Sequence, residues 1–202
     1  MRAGAFLARP ATAAVVLAAS LTMGCAATAP VPRPSAAPGG QATAPSPAAL
    51  TAAGDFGPTD VAWVELMIPM DELALRMLAL VPDKSPDPDM KRLAARISTA
   101  HRTELVKLRQ LLLRSGVPET NPHQGHNMPG MVTPEELGAI GRTSGAAFDR
   151  LVTEHLREHL RQSVVVAQGE QRSGTSEDTR TLAAAMEKTR SSQLADLDRL
   201  AG

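Results

Sequence analysis

Residues 123 to 131 read His-Gln-Gly-His-Asn-Met-Pro-Gly-Met and gather two imidazoles and two thioethers in a chain that has five His in all. His123, His126, Met128 and Met131 are the donor types that favour copper over Mg²⁺ or Ca²⁺. Met128-Pro129-Gly130-Met131 fits a type II turn, with Pro at the second position and Gly supplying positive φ at the third, and such a turn holds the two Met backbones within about 7 Å. The alternative is that both Met cap a hydrophobic core and both His are solvated. His155 and His159 lie four positions apart, so on a helix they share one face and form a second candidate metal pair. Against that stands their setting in a charged run, Glu154 to Arg161, which favours a solvated helix surface.

The elements that must position these residues come from a duplication. Asp60, Glu65, Asp89, Leu93, Ala94, Ala95, Leu105, Leu108 and Leu111 recur as Asp149, Glu154, Asp178, Leu182, Ala183, Ala184, Leu194, Leu197 and Leu200, without a gap in register. Within each copy the apolar residues fall at steps of three and four, the helical period. Asp87-Pro88 starts one helix and Gly116-Val117-Pro118 ends it. Thr133-Pro134-Glu135-Glu136 carries an N-cap, a first-turn Pro and a capping-box Glu, which predicts a short helix after the His/Met segment. Ser144 caps a long third helix, and Thr175 or Ser176 a fourth. Four long helices in two hairpins give an up-and-down bundle. Pro69 falls inside the first helix, at a cost of roughly 3 kcal/mol unless accommodated, and predicts a kink.

Ahead of this domain lie Arg2 and Arg9, an apolar run from Ala11 to Leu21, and then Gly24-Cys25. This is the layout of a secretory signal, and the run is too short to be a permanent membrane span. Cys25 is the single cysteine, so no intrachain disulfide forms. Leu21-Thr22-Met23-Gly24-Cys25 resembles a bacterial lipoprotein processing site, with Thr22 where Leu is commoner. Residues 1–24 are therefore expected to be a lipoprotein signal and Cys25 the lipidated residue. Residues 25–58, rich in Ala, Pro, Thr and Ser, form a tether that cannot bury a core, and 59–202 form one domain.

Several function classes lose support. Lys plus Arg balance Asp plus Glu at 21 each, which offers no electrostatic footprint for nucleic acid, and the aromatics are too scattered for base stacking. No Ser lies in a Gly-x-Ser-x-Gly turn and no Gly-rich phosphate loop is present. Glu65 and Glu154 could serve half of a di-iron site, but the two Glu-x-x-His pairs it also needs are missing: His101 and Glu104 stand in reverse order, and Arg190 and Gln193 replace them in the second copy. The expectation is a protein without enzymatic activity.

The repeat, with its short segments, resembles the family known as domain of unknown function 305, over Asp60 to about Leu200. The resemblance is carried by Met67-Ile68-Pro69, by His101-Arg102-Thr103-Glu104-Leu105, by Met128 through Glu135, and by Ser144-Gly145-Ala146-Ala147-Phe148-Asp149-Arg150-Leu151. It implies an exported bacterial protein with a ferritin-like bundle, in a family some of whose members are linked to copper binding and resistance. This chain departs from the family pattern where His-His pairs are expected: Met70-Asp71 follows Pro69, and His159-Leu160 stands in the third helix.

The sequence thus predicts an all-α, ferritin-like up-and-down four-helix bundle made of two duplicated hairpins. It is expected to be exported and held to the membrane by its lipid, and to bind copper for extracytoplasmic buffering or sequestration. The ligands are expected among His123, His126, Met128 and Met131, with His155 and His159 second. The competing expectation is a metal-free structural or interaction module that has lost the family's metal sites.

Overall fold

The computed structural model describes residues 56–201; the expected signal, Cys25 and most of the tether lie outside them. Four long helices, α1 (Pro58–Leu78), α3 (Pro88–Ser115), α5 (Gly145–Ser173) and α6 (Glu177–Ala201), are joined through two short ones, α2 (Val81–Lys84) and α4 (Pro134–Gly141). No strand occurs among the described residues, and among them no helix is long and apolar enough to cross a membrane.

Local chemistry sets most boundaries. Asp87 accepts a hydrogen bond from the Asp89 N–H at 2.8 Å, with Pro88 at the first helical position, and α3 stops at Gly116 in the left-handed region. The capping box of α4 forms as expected: the Glu136 N–H donates to Thr133 Oγ1 at 3.2 Å, and the Thr133 N–H to Glu136 Oε2 at 2.8 Å. Ser176 starts α6, its carbonyl accepting from the Arg180 N–H. Ser144 stands at the N-cap of α5 without a side-chain capping bond. Pro69 does not end α1, which continues through it to Leu78.

Each long helix packs on two neighbours: α1 on α3 and α5, α6 on α5 and α3. That leaves α1 and α6, and likewise α3 and α5, facing each other across the diagonals. Directions follow from the contacts. Asp60 at the start of α1 meets Thr175 just beyond the end of α5, while Arg96 and Arg114 of α3 pair with Asp196 and Asp178 of α6. Neighbours are therefore antiparallel and α3 runs parallel to α5. The connection between them must travel back along the bundle, the long crossover of ferritin-like folds. The helices therefore run up-down-down-up and not in the simple up-and-down order expected from two linked hairpins, because the segment after α3 is long enough to recross the bundle.

Two apolar clusters fill the interior. One contains Trp63, Met67, Met70, Leu105, Leu108 and Met186; the other contains Met77, Ile97, Phe148, Leu156, Leu160 and Leu197. Burying each such large side chain contributes about 1.5–3 kcal/mol. On α1 the change from one cluster to the other falls between Met70 and Met77, on α3 between Leu105 and Ile97, on α6 between Met186 and Leu197. The interior is polar at that waist.

Candidate metal centre

Asp71 of α1, His101 and Glu104 of α3, His159 of α5 and Arg190 of α6 meet at the waist, and all five are buried. Two contacts cross the bundle along its diagonals. Arg190 Nη2 donates to Asp71 Oδ1 at 2.7 Å from α6 to α1, and His101 Nε2 lies 3.0 Å from His159 Nε2 between α3 and α5. Helical spacing explains the inward aim. His101 follows Ile97 and precedes Leu105, both core residues four away, so it belongs to the buried stripe of α3.

The ring orientations are set by second contacts. His159 Nδ1 lies 3.1 Å from the Gly130 carbonyl, which its N–H can reach. Gly130 is held in the left-handed region by the Met128–Met131 turn, which closes through the Met131 N–H on the Met128 carbonyl at 3.0 Å. The expected type II turn is therefore present, and its carbonyl positions a core imidazole. His101 Nδ1 sits between an acceptor, the Ile97 carbonyl at 3.0 Å, and a donor, Arg190 Nη1 at 3.2 Å. With its proton on Nε2, His101 donates to His159 and accepts from Arg190. With the proton on Nδ1 it donates to Ile97, and two Nε2 lone pairs then face each other. Asp71 Oδ1 stands 3.8 Å from both nitrogens.

Burial dominates the electrostatics. It drives His101 well below the usual imidazole range and His159 down to about 3, the Arg190 charge adding to both. Burial also raises Asp71 to about 7, against the pull of Arg190, and raises Glu104, whose Oε2 lies 2.7 Å from Arg190 Nη1. Both imidazoles are therefore neutral, the form in which His ligates a metal. Asp71, His101 and His159 form the one group of three such side chains, among the described residues, with ligating atoms all within 4.8 Å of one another. The donor set fits a transition metal. The 3.0 Å separation of the two Nε2 atoms is that of a hydrogen bond, so an ion enters only as the rings part.

The residues singled out in the sequence are dispersed. Met131 is buried in the core and Met128 packs against it, so both thioethers contribute to packing. His123 and His126 line a groove of about 770 Å³ between the crossover and α1, whose walls include Glu72, Arg76, Glu135 and Glu136. His126 is exposed, and His155 is half-buried and outside the central group. Of the six expected ligands only His159 enters that group, and its partner is His101 across the bundle instead of His155 along the helix. Asp71, His101, Glu104 and Arg190 escape the sequence reading as a set. The repeat register holds the signal: His101 aligns with Arg190, Glu104 with Gln193, Asp71 with Leu160 and Met70 with His159, so the two copies differ at each of these positions.

A ferritin-like bundle with a buried histidine and carboxylate centre is the class defined by this fold and site. The sequence profile of the family described as Domain of unknown function (DUF305) matches residues 60–201, and the chain belongs to that family. A DUF305 protein of Streptomyces coelicolor, regarded as secreted, superposes with a TM-score of 0.64 at 23% identity, covering 70% of this chain and 91% of that one. A DUF305 fragment from Deinococcus radiodurans gives 0.65 at 18% identity, covering 72% and 96%. CopM in its Cu(II)-bound form gives 0.61 at 21% identity, covering 70% and 94%. At these identities the likeness is one of fold. No curated protein matches the chain in sequence.

Proposed function

We propose that this protein is an exported, lipid-anchored bundle that binds copper outside the cytoplasm, buffering or sequestering it without catalysing a reaction. The observation that carries this reading is the His101–His159 pair, two neutral imidazoles meeting at 3.0 Å with Asp71 beside both. Support comes from the fold shared with CopM, of which Cu(II)-bound and Cu(I)-bound forms are known. Anchoring and export rest on the Cys25 pattern and on the secreted relative. In this reading His123 and His126 provide an outer, weaker site at the groove, and the tight site is central.

Copper titration of the mature chain tests it. Replacing His101 or His159 by Ala abolishes the tight site, whereas the triple change of His126, Met128 and Met131 to Ala leaves it. The opposite result would return the site to the crossover.

Arg190 favours a second reading. Its guanidinium pairs with both Asp71 and Glu104 within the core, so the centre is also an ion-pair network that ties α1, α3 and α6 together with no metal. If copper leaves the melting temperature unchanged, this structural reading stands, because a ligand of the folded state alone must raise apparent stability.

A further inference from the structure

We infer that the central site selects a monovalent cation, Cu(I) among the copper ions, and that Arg190 is the residue that makes it do so. This rests on the copper-binding reading above and specifies the ion.

Donor type does not decide the question, because imidazole and carboxylate accept Cu(II) and Zn²⁺ as readily as Cu(I). Charge does. Asp71 and Glu104 contribute at most two negative charges and Arg190 one permanent positive charge, while a ligating imidazole is neutral. The net charge is therefore no more negative than minus one, in a space where these side chains are 0–9% exposed. A monovalent ion carries the highest charge that this sum can balance. A divalent ion leaves at least one uncompensated positive charge in the interior, which carries a desolvation penalty of several kcal/mol. The further charge that acts on Glu104 is Lys107, which is exposed, also positive, and cannot offset the excess.

The symmetry of the fold shows why the property belongs to this chain. Arg190 stands at the repeat position of His101, so a guanidinium fills the place where the second hairpin would offer another imidazole. It reaches Asp71, Glu104 and His101 Nδ1 at 2.7, 2.7 and 3.2 Å. The half of the centre that a second or more highly charged ion would need already holds a fixed cation. Guanidinium does not lose its proton in proteins, so the bias is permanent.

Ag⁺ and Zn²⁺ are redox-inert probes of the two valences. The mature chain is titrated with each under competition, and the ring-nitrogen NMR resonances of His101 and His159 report occupancy of the centre. Ag⁺ should bind once at this pair and Zn²⁺ roughly 100-fold or more weakly there. Arg190→Gln should shift the ratio towards Zn²⁺ by about tenfold or more, whereas Arg190→Lys, which keeps the charge but not the fork, should preserve the Ag⁺ preference. If Arg190→Gln does not fold, the wild-type ratio and the Lys variant still decide. Zn²⁺ binding at the pair as tightly as Ag⁺ overturns the valence inference and leaves the site intact. Neither ion moving the His101 and His159 resonances overturns the site and the inference with it.

Discussion

Arg190 occupies in the second hairpin the position His101 occupies in the first, and its Nη1 lies 3.2 Å from the His101 Nδ1. A duplicated bundle tends to place equivalent residues around its pseudo-symmetry axis, and here the equivalents have diverged into an imidazole and a guanidinium that touch. The centre is consequently asymmetric: one diagonal is an ion pair, the other a histidine pair.

Arg190→Met should leave Asp71 and Glu104 buried without a cation. Removing one partner of a buried ion pair typically costs about 3–5 kcal/mol, and urea unfolding of the metal-free protein should show a loss of that size. Adding Asp71→Leu and Glu104→Gln, which copy Leu160 and Gln193 of the second hairpin, should recover much of it. A triple variant no more stable than the single one would contradict the electrostatic account.

The crossover Met residues should matter to stability and the crossover His residues should not. Met131 is buried, so Met131→Ala should cost about 2–5 kcal/mol through the cavity it leaves. His126 is exposed, and His126→Ala should stay within about 0.5 kcal/mol of the parent. Calorimetry on the two variants separates packing from ligation at this segment.

Gly130 should not accept a side chain. Its φ is +79°, and a Cβ there would stand 2.6 Å from Gln162 Cβ. Gly130→Ala should destabilise the fold by about 1–3 kcal/mol, combining left-handed strain with overpacking. It should also weaken copper binding, because the Gly130 carbonyl positions the His159 ring. Unchanged copper affinity in a folded Gly130→Ala protein would break that link.

At one end of the bundle, Asp60 and Glu170 should give stability a readable pH dependence. Burial would raise Asp60, but hydrogen bonds from Thr175, Glu170 and the Gly57 and Ser176 N–H groups outweigh it and bring the group to about 2. Burial, reinforced by Asp60, raises Glu170 to about 8. The signs are opposite. The Asp60 contribution is present above its unfolded value of 3.8 and is lost as pH falls towards 2. Native Glu170 retains a proton that the unfolded chain releases above 4.5, so its contribution is full below 4.5 and is lost as pH rises to 8. Glu170→Gln should therefore gain on the parent protein steadily from about pH 5 to 8 and hold a constant lead above, in denaturant titrations without metal. Parallel pH profiles for the two proteins would rule this out.

The helices and their ends are legible in the sequence because their causes are local. Asp87-Pro88, the Thr133–Glu136 capping box and Ser176 each act within one helical turn, and the residues that satisfy the orphan amides are neighbours in the chain. The duplication and the family resemblance then imply the bundle. The Met128–Met131 turn is equally legible, since Pro and Gly set its dihedrals directly.

The direction of Met131, and the company His159 keeps, are decided by tertiary structure. A turn sequence specifies backbone shape but not which side faces a core, and only the path of the crossover against α1 and α5 puts Met131 inside. Spacing along α5 makes His155 the visible partner for His159. The imidazole pairs instead with His101, 58 positions away, while Asp71 and Arg190 join from 119 positions apart. No local period records which helices stand on a diagonal. Sequence determined the helices, their caps and the stripe each one buries. Packing four stripes around one axis determined which buried polar groups meet, because only there do the low dielectric and the need to satisfy every donor and acceptor act on all of them at once.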